Sequence, residues 1–270
     1  MLINRILLLV TCCFFVFEAV HAQSVAVPRD PTKFHLFLLA GQSNMAGRGK
    51  VAESDRKVDV HVLTLNKKGK WVAAVDPIHF DKPGIAGVGL GKTFATTYAA
   101  AHPGITVGLI PCAVGGSPIS SWEPGGYHSS TKTHPYDTAI ARTQLAMKEG
   151  TLKGVLWHQG ESDCKAGLSV VYKEKLHRLI KRFRTNFNDE NLPFIAGQMG
   201  QFKERPWSTD KKRVDSIHAT LPMQVSITGF VKSNGLAHKG DKIHFDSESY
   251  RELGRRYHAA FEAVKATVQN

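Results

Sequence analysis

Short apolar runs that each end in a turn of glycine and small polar residues most constrain the fold of this chain. The first run covers residues 34–40, and the turn Gly41-Gln42-Ser43 follows it. A nearly continuous apolar run of this length is typical of a strand buried on both faces of a parallel sheet. Because chemistry in open α/β sheets collects at the carboxyl ends of strands, Ser43 is a candidate nucleophile. A serine after a strand is also a common turn former or helix N-cap, so Ser43 needs catalytic partners to support this role.

The rest of the chain alternates between predicted strands and predicted helices. Further strands are predicted at residues 58–65, 105–112, 154–158, 193–199 and 225–230. Helices are predicted at residues 89–101, 136–149, about 172–187 and 208–219, with a closing helix capped by Asp246. Such alternation predicts a parallel sheet that is covered by helices on both faces. Since several strands end in glycine-, serine- or glutamine-containing turns, we expect these turns to meet along one edge of the sheet.

The N-terminal residues have the pattern of a secretory signal peptide. Arg5 precedes an apolar core of about a dozen residues, and Val20-His21-Ala22 supplies small residues at the positions before a cleavage site. The alternative is a membrane anchor, but the run is short for a span of ~20 residues. We therefore predict a signal peptide at residues 1–22, a short leader at 23–32 and a single domain at 33–270. The protein is expected to be secreted or periplasmic, without stable membrane insertion after cleavage.

The formal net charge of +12 raises the question of an anionic partner. Much of this charge lies in residues 172–187, where apolar residues recur at helical spacing, so the cations are interpreted as the solvated face of an amphipathic helix. We find no nucleic-acid-binding motif and expect no nucleic-acid partner. Cys112 and Cys164 remain after signal removal, either as a disulfide or as two free thiols, and their spacing does not suit metal binding.

Asp241 and His244 supply the partners that a serine nucleophile needs. The two residues are three positions apart, so the carboxylate can reach the imidazole Nδ1 and orient it as a general base. A pair at this spacing also arises by chance as a surface ion pair. For the oxyanion, the candidate donors are the backbone N–H groups of Ser43 and of Gly115 or Gly116, and the side-chain amide of Gln159. No step of such chemistry requires a metal ion or an organic cofactor.

Four sequence blocks together resemble an SGNH-type hydrolase, and within that superfamily the sialate O-acetylesterase-like branch that includes carbohydrate esterase family six and its acetylxylan esterases. The blocks are Leu39-Ala40-Gly41-Gln42-Ser43-Asn44-Met45-Ala46-Gly47-Arg48-Gly49, Pro111-Cys112-Ala113-Val114-Gly115-Gly116-Ser117 with Trp122, Trp157-His158-Gln159-Gly160-Glu161-Ser162-Asp163, and Asp241-Lys242-Ile243-His244-Phe245. The resemblance implies a three-layer α/β/α sandwich with a flavodoxin-like parallel sheet of about five strands. It also implies a serine esterase that removes O-acetyl groups from carbohydrates.

Carried over by motif, the resemblance makes Ser43 the nucleophile, His244 the base and Asp241 its orienting acid. Ser43, the glycine of the second block and Gln159 would form the oxyanion hole. Broader SGNH enzymes have asparagine at the position of Gln159, which makes phospholipase or thioesterase activity less attractive. The chain lacks the G-x-S-x-G elbow of α/β-hydrolases, because Met45 occupies the position of its last glycine.

Several residues near these blocks have a supporting or an open role. Glu161 is interpreted as a support for the Ser43 loop through Asn44 or Arg48, and the alternative is a glycosidase-like carboxylate pair with Asp163. His158 is expected to be a core histidine. Stacking on a sugar and burial in the core are equally compatible with the sequence at Trp122, Trp207 and His128.

The substrate expected from the resemblance is an acetylated carbohydrate such as sialic acid or xylan. Loops at residues 71–83, 122–135 and 201–210 are predicted to recognise it. Two alternatives remain open at this point. One is an SGNH lipase or arylesterase that acts on longer acyl chains, and the other is a non-catalytic glycan-binding module on the same scaffold.

Overall fold

A seven-stranded sheet forms the centre of the protein in the computed structural model, which describes residues 26–267. The strands are β1 Phe34–Gly41, β2 Val62–Leu65, β3 Trp71–Ala73, β4 Thr106–Pro111, β5 Thr151–His158, β6 Phe194–Gly197 and β7 Thr228–Val231. Their order is β3-β2-β4-β1-β5-β6-β7, which places β1 in the middle. Only β3 is antiparallel to its neighbour, so the sheet has six parallel strands where about five were expected.

Helices cover both faces of this sheet. They are α1 Ser43–Ala46, α2 Leu90–Ala101, α3 Pro135–Ala146, α4 Tyr172–Asn186, α5 Thr209–Thr220 and α6 Ser247–Ala266. Leu36 and Leu38 of β1 belong to a core cluster that includes residues of α3, α4 and α5. Phe37 and Leu39, which point to the opposite face, belong to a second cluster with α2 and α6. The predicted three-layer α/β/α class is therefore confirmed.

Two strands at one edge of the sheet, β2 and β3, differ from the sequence predictions. The strand predicted at residues 58–65 begins only at Val62, and the side chains of Val58 and Val60 are exposed. Residues 71–73, which were interpreted as irregular, form β3 and pair with β2 across the turn at residues 66–69. Alternating polarity is common to edge strands and to extended loops, so the pattern alone did not separate them.

The predicted signal peptide and residues 23–25 of the predicted leader lie outside the described residues. No helix between residues 26 and 267 is both long and apolar enough to cross a membrane. Cys112 and Cys164 are free thiols, and the Cys164 Sγ donates to the Gly160 carbonyl oxygen at 3.2 Å. The cationic helix α4 buries its apolar side chains in the core, as its spacing predicted, and leaves Lys173, Arg178 and Lys181 exposed. Arg184, which was interpreted as part of the solvated face, is instead buried and donates to the carbonyl oxygens of Leu192 at 3.2 Å and Ser226 at 2.7 Å.

Candidate active site

Ser43 lies at the carboxyl end of the central strand, at the first residue of the short helix α1. The turn that precedes it requires glycine at position 41, where φ is +130° and an added Cβ would lie 2.2 Å from the His158 carbonyl oxygen. The N–H of Gln42 donates to that same oxygen at 2.9 Å. The end of β1 is thereby fixed against the end of β5, and Ser43 is held with 8% of its surface exposed.

The structure brings Ser43, His244 and Asp241 into one hydrogen-bonded line. The Ser43 Oγ is 3.0 Å from the His244 Nε2, although the two residues are far apart in sequence. On the other side of the ring, the His244 Nδ1 is 2.7 Å from the Asp241 Oδ2. These distances allow the hydroxyl proton to pass to the ring while the carboxylate holds the Nδ1–H tautomer.

The Asp241 carboxylate is held in its charged form by its own loop. Its Oδ1 accepts hydrogen bonds from the backbone N–H groups of Ile243 at 3.0 Å and His244 at 2.8 Å. Partial burial opposes ionisation, but the hydrogen bonds from His244 and Ile243 outweigh it and lower the pKa of Asp241 from 3.8 to about 2. Asp241, which contacts the imidazole, is therefore ionised at neutral and mildly acidic pH.

Asn44 connects the serine turn to the loop that carries Asp241 and His244. Its Nδ2 donates to the Ile243 carbonyl oxygen at 3.1 Å and to the Glu161 Oε1 at 2.7 Å. Its Oδ1 accepts from the Tyr250 hydroxyl at 2.7 Å. The predicted link between Glu161 and the Ser43 loop is therefore present, and it runs through Asn44.

Arg48 supports a different turn from the one predicted. Its guanidinium forms a buried ion pair with Asp81, with 2.6 Å between Nη2 and Oδ2, and it does not contact Glu161. Burial disfavours the charged form of Asp81, but Arg48 outweighs it and lowers the pKa of this carboxyl below 3.8. The same Oδ2 accepts the Gly115 N–H at 2.7 Å, and a Cβ on Gly115 would lie 2.5 Å from the Arg48 Nη2. Asp81, which sequence reasoning missed, thus holds the second glycine turn.

These contacts distinguish between the predicted oxyanion donors. The Gly115 N–H is already engaged by Asp81, whereas among residues 26–267 the backbone N–H groups of Ser43 and Gly116 have no acceptor. Gly116 has φ of +85°, and an added Cβ would lie 3.9 Å from the His128 Nε2 and 4.0 Å from the Lys82 Nζ. Of the two glycines, Gly116 therefore has the free donor.

Gln159 does not supply the predicted oxyanion donor in this structure. It is fully buried, and its Nε2 contacts the Ser117 carbonyl oxygen at 3.1 Å and the Asp163 Oδ2 at 2.5 Å. The Gln42 Oε1 lies at 3.3 Å from the same nitrogen, and the Gln159 Oε1 accepts from the Tyr172 hydroxyl. Because an amide nitrogen has only two hydrogens, none is left for a substrate oxygen.

The arrangement of Asp163 argues against a glycosidase-like carboxylate pair. Asp163 is 1% exposed, and its Oδ2 accepts from the Ile119 N–H at 2.9 Å as well as from Gln159. Burial is the main reason that its pKa is raised from 3.8 to about 6, and these hydrogen bonds only partly offset it. Glu161 is bonded to Asn44 through Oε1, and because Asp163 is enclosed by these contacts it is not available as the second carboxylate of such a pair.

The aromatic and histidine candidates divide between core and surface. Trp122 is fully buried, donates to the Ser117 Oγ at 3.0 Å and packs edge-on against Trp157, so it belongs to the core. His158 is also a core residue, as predicted, with its Nδ1 at 3.1 Å from the Tyr257 hydroxyl, and burial lowers its pKa to about 4. Trp207 is half-buried with Lys211 above its ring.

A cleft of about 230 Å³ lies directly beside Ile243 and Glu161. Its lining residues are mostly polar and cationic: Glu161, Cys164, Lys165, Arg205, Pro206, Ser208, Lys211, Lys242 and Ile243. Burial lowers the pKa of Lys211, whose Nζ donates to the Gly200 carbonyl oxygen at 2.9 Å. Of the loops predicted to recognise a substrate, the one at residues 201–210 contributes to this cleft. The excess of cations favours an anionic group.

Comparison with known proteins matches this chain to a protein family. The family model for carbohydrate esterases of the sialic acid-specific acetylesterase type matches residues 33–263. A probable carbohydrate esterase of Arabidopsis thaliana is 31% identical over 240 residues, which cover 81% of this chain and 86% of the relative. The crystal structure of the same Arabidopsis protein aligns with a TM-score of 0.75 over 85% of this chain and 98% of that chain.

More distant solved structures share the fold. NanS aligns with a TM-score of 0.69 at 16% identity, over 89% of this chain and 99% of that chain. A carbohydrate acetylesterase from Xanthomonas citri aligns with a TM-score of 0.67 at 21% identity, over 85% of this chain and 56% of that chain. At these identities the similarity concerns the arrangement of strands and helices.

Proposed function

Since this chain belongs to the sialic acid-specific acetylesterase family of carbohydrate esterases, we propose that it removes O-acetyl groups from sugars with Ser43, His244 and Asp241 as its catalytic triad. Membership of the family makes the protein a carboxylic ester hydrolase. The observation that supports the triad is the hydrogen-bonded line from the Ser43 hydroxyl through His244 to Asp241.

The proposed reaction has two halves. In the first, the Ser43 Oγ attacks the acetyl carbonyl carbon while the His244 Nε2 takes the hydroxyl proton, and the same proton then passes to the sugar oxygen as the ester bond breaks. In the second, a water molecule gives its proton to His244 and attacks the acetyl-serine, which releases acetate and restores Ser43. Asp241 holds the ring in position and stabilises its charged form throughout.

Negative charge that develops on the carbonyl oxygen needs hydrogen-bond donors. We assign this role to the backbone N–H groups of Ser43 and Gly116, because both are free of other acceptors in the described part of the chain. The turn that contains Ser43 is fixed by the close approach of Gly41 to β5, and the turn that contains Gly116 is fixed by the hydrogen bond from the Gly115 N–H to Asp81. Donors that are already in place need not reorganise as the charge develops.

The cationic cleft supports an acidic sugar as the substrate. Lys165, Arg205, Lys211 and Lys242 surround a space in which Glu161 is the one acidic lining residue. A carboxylate-bearing sugar such as an acetylated sialic acid would place its negative charge there, whereas neutral xylan would gain nothing from these cations. The family description is consistent with this assignment.

The triad is tested with Ser43→Ala, and acetate release from acetylated sialic acid and turnover of 4-nitrophenyl acetate are measured. Both activities should fall to background while the circular dichroism spectrum stays unchanged. Ser54→Ala, on the surface before β2, is the matched control and should keep full activity. Substantial turnover by a folded Ser43→Ala variant would contradict the proposal.

The sugar assignment is tested with Arg205→Gln. Loss of one charge-assisted hydrogen bond of about 1.5 kcal/mol should raise KM for acetylated sialic acid roughly tenfold. The KM for neutral 4-nitrophenyl acetate should not change, because that ester has no group for the cleft. An equal rise for both substrates, or faster acetate release from acetylated xylan, would show that the cleft does not select acidic sugars.

The two alternatives give different results in the same assays. A lipase or arylesterase would prefer butyryl and octanoyl esters to acetyl esters. A non-catalytic glycan-binding module would leave Ser43 unlabelled by an organophosphonate, whereas the proposed esterase would be labelled.

We also propose that the protein is exported after cleavage behind Ala22, on the basis of the N-terminal sequence pattern. N-terminal sequencing of the protein recovered from outside the cytoplasm should begin at Gln23.

A further inference from the structure

A second group of ionisable side chains lies between α2 and α6, away from the triad. His102 directly follows the last residue of α2, and His258 and Glu262 are one turn apart on α6. The Glu262 Oε1 is 3.6 Å from the His102 Nε2 and 3.8 Å from the His258 Nε2. One ligand atom from each of the three residues lies within 4.8 Å of the other two.

These atoms are close to one another but do not form hydrogen bonds with one another. Both separations exceed a hydrogen-bond length, and within the described residues the His258 Nε2 and the Glu262 Oε1 are buried without a hydrogen-bond partner. Buried polar atoms in native proteins normally have a partner. The arrangement therefore calls for a further group between the three side chains.

The spacing suits a tetrahedral metal ion. With Zn–N and Zn–O bonds of about 2.0–2.2 Å, neighbouring ligand atoms of a tetrahedral site lie about 3.4 Å apart. The two separations around the Glu262 Oε1 are only a few tenths of an ångström longer. The side chains of His102, His258 and Glu262 are 23%, 15% and 34% exposed, so the three residues lie near the protein surface.

The ring of His102 is already oriented for coordination. Its Nδ1 lies 2.9 Å from the Tyr98 carbonyl oxygen, so Nδ1 carries the hydrogen and Nε2 presents its lone pair towards Glu262. The ring also stacks on the Tyr98 side chain with centroids 4.0 Å apart. A backbone carbonyl bonded to the second ring nitrogen is the usual arrangement around a metal-binding histidine.

We propose that His102, His258 and Glu262 form a binding site for a divalent transition-metal ion, with Zn²⁺ the best match to two imidazoles and one carboxylate. The ion would join the end of α2 to α6. Because Glu262 lies roughly 20 Å along α6 from Ser247 at 1.5 Å per residue, the site is structural and separate from the triad.

The test uses the untagged protein after EDTA treatment and dialysis. Titration with ZnCl₂ in a calorimeter should show one equivalent bound, and saturating Zn²⁺ should raise the melting temperature. Co²⁺ should bind with the visible absorption bands of a tetrahedral site. His258→Gln and Glu262→Gln should each weaken Zn²⁺ binding by at least roughly tenfold. Turnover of 4-nitrophenyl acetate without added metal should stay at the wild-type level in both variants.

The matched control is His134→Gln, which removes an exposed histidine that faces a single carboxylate, Asp137, at 3.9 Å. This variant should bind Zn²⁺ as the wild type does. If either α6 variant fails to fold, His102→Gln, outside both helices, tests the same site. Zn²⁺ affinity that is equal in the wild type and the folded site variants, or no binding by the wild type, would overturn the proposal.

Discussion

The side chain of Gln159 belongs to a buried polar network that connects several turns at the candidate active site. It contacts Ser117 from the second glycine turn, Asp163 from the turn after β5, and Tyr172 at the start of α4. The amide also lies 3.3 Å from the Gln42 Oε1. Because Ser117 follows Gly116 and Gln42 precedes Ser43, Gln159 positions the backbone of both turns. Removing a group that donates to the oxyanion and removing a residue that only positions such a donor should have different effects on kcat and on stability.

We therefore expect Gln159→Ala to act on stability more than on the chemical step. Leaving Asp163 and Tyr172 without their buried partner should lower the free energy of unfolding by about 1–3 kcal/mol. The kcat of the folded variant should fall by less than roughly tenfold, whereas loss of an oxyanion donor costs about 10²–10³ in kcat. Urea unfolding and steady-state kinetics measure the two effects. A loss of kcat above a hundredfold with unchanged stability would restore Gln159 to the oxyanion hole.

Individual site residues differ in how far the sequence predicts them. Asp241 and His244 are three positions apart, so their contact is local, and the structure joins them to Ser43. Asp81 is separated by 33 positions from its partner Arg48, and nothing in its own neighbourhood marks it as buried. Pairings of this kind depend on how loops fold over the sheet edge, which local spacing does not encode.

The N-terminus of α6 lies directly after the loop that contains His244. Asp246 caps this helix, because its Oδ1 accepts the Ser249 N–H at 2.8 Å, and it follows His244 by two positions. Ser208 caps α5 in the same way, with its Oγ accepting the Lys211 N–H at 3.1 Å. The two caps have the same local function, but only the first directly follows the loop that carries Asp241 and His244.

Asp246→Ala should therefore lower both stability and activity. Loss of a cap costs about 1 kcal/mol, which corresponds to a decrease of about 2–4 °C in melting temperature for a protein of this size. The kcat should fall as well, because the His244 loop loses its anchor at the start of α6. Ser208→Ala should cost similar stability with kcat unchanged. Equal effects of both variants on kcat would show that the cap does not position the loop.

Element types were predicted better than element ends. The caps at Ser208 and Asp246 mark the starts of α5 and α6 in the sequence, and both helices begin there. The edge of the sheet was less predictable. Val58 and Val60 alternate with polar residues as a strand would, yet they lie outside β2, because only pairing with β4 decides where this strand begins.

The stability of the whole molecule depends on pH in part because the Asp163 carboxyl group is buried. Asp163 titrates in the folded state with a pKa of about 6, against 3.8 for an ordinary aspartate, chiefly because it is buried. Between pH 3.8 and about pH 6, the Asp163 carboxyl group is protonated to a greater extent in the folded protein than in the unfolded chain. The contribution of Asp163 to stability is therefore greatest below pH 3.8 and is lost as the pH rises towards 6.

Replacing Asp163 with Asn should remove this dependence and keep the acceptor for Gln159 and Ile119. Relative to the wild type, the Asp163→Asn variant should gain about 3 kcal/mol in free energy of unfolding between pH 3 and pH 8, at 1.36 kcal/mol per pKa unit. Urea unfolding at each pH measures the difference, so that titration of all other groups cancels. Asp59→Asn is the control, because Asp59 also accepts a backbone N–H but does so at the surface. A difference between Asp163→Asn and the wild type that stays constant with pH would mean that Asp163 ionises in the folded protein as it does in the unfolded chain, and that its burial does not set the pH response of the molecule.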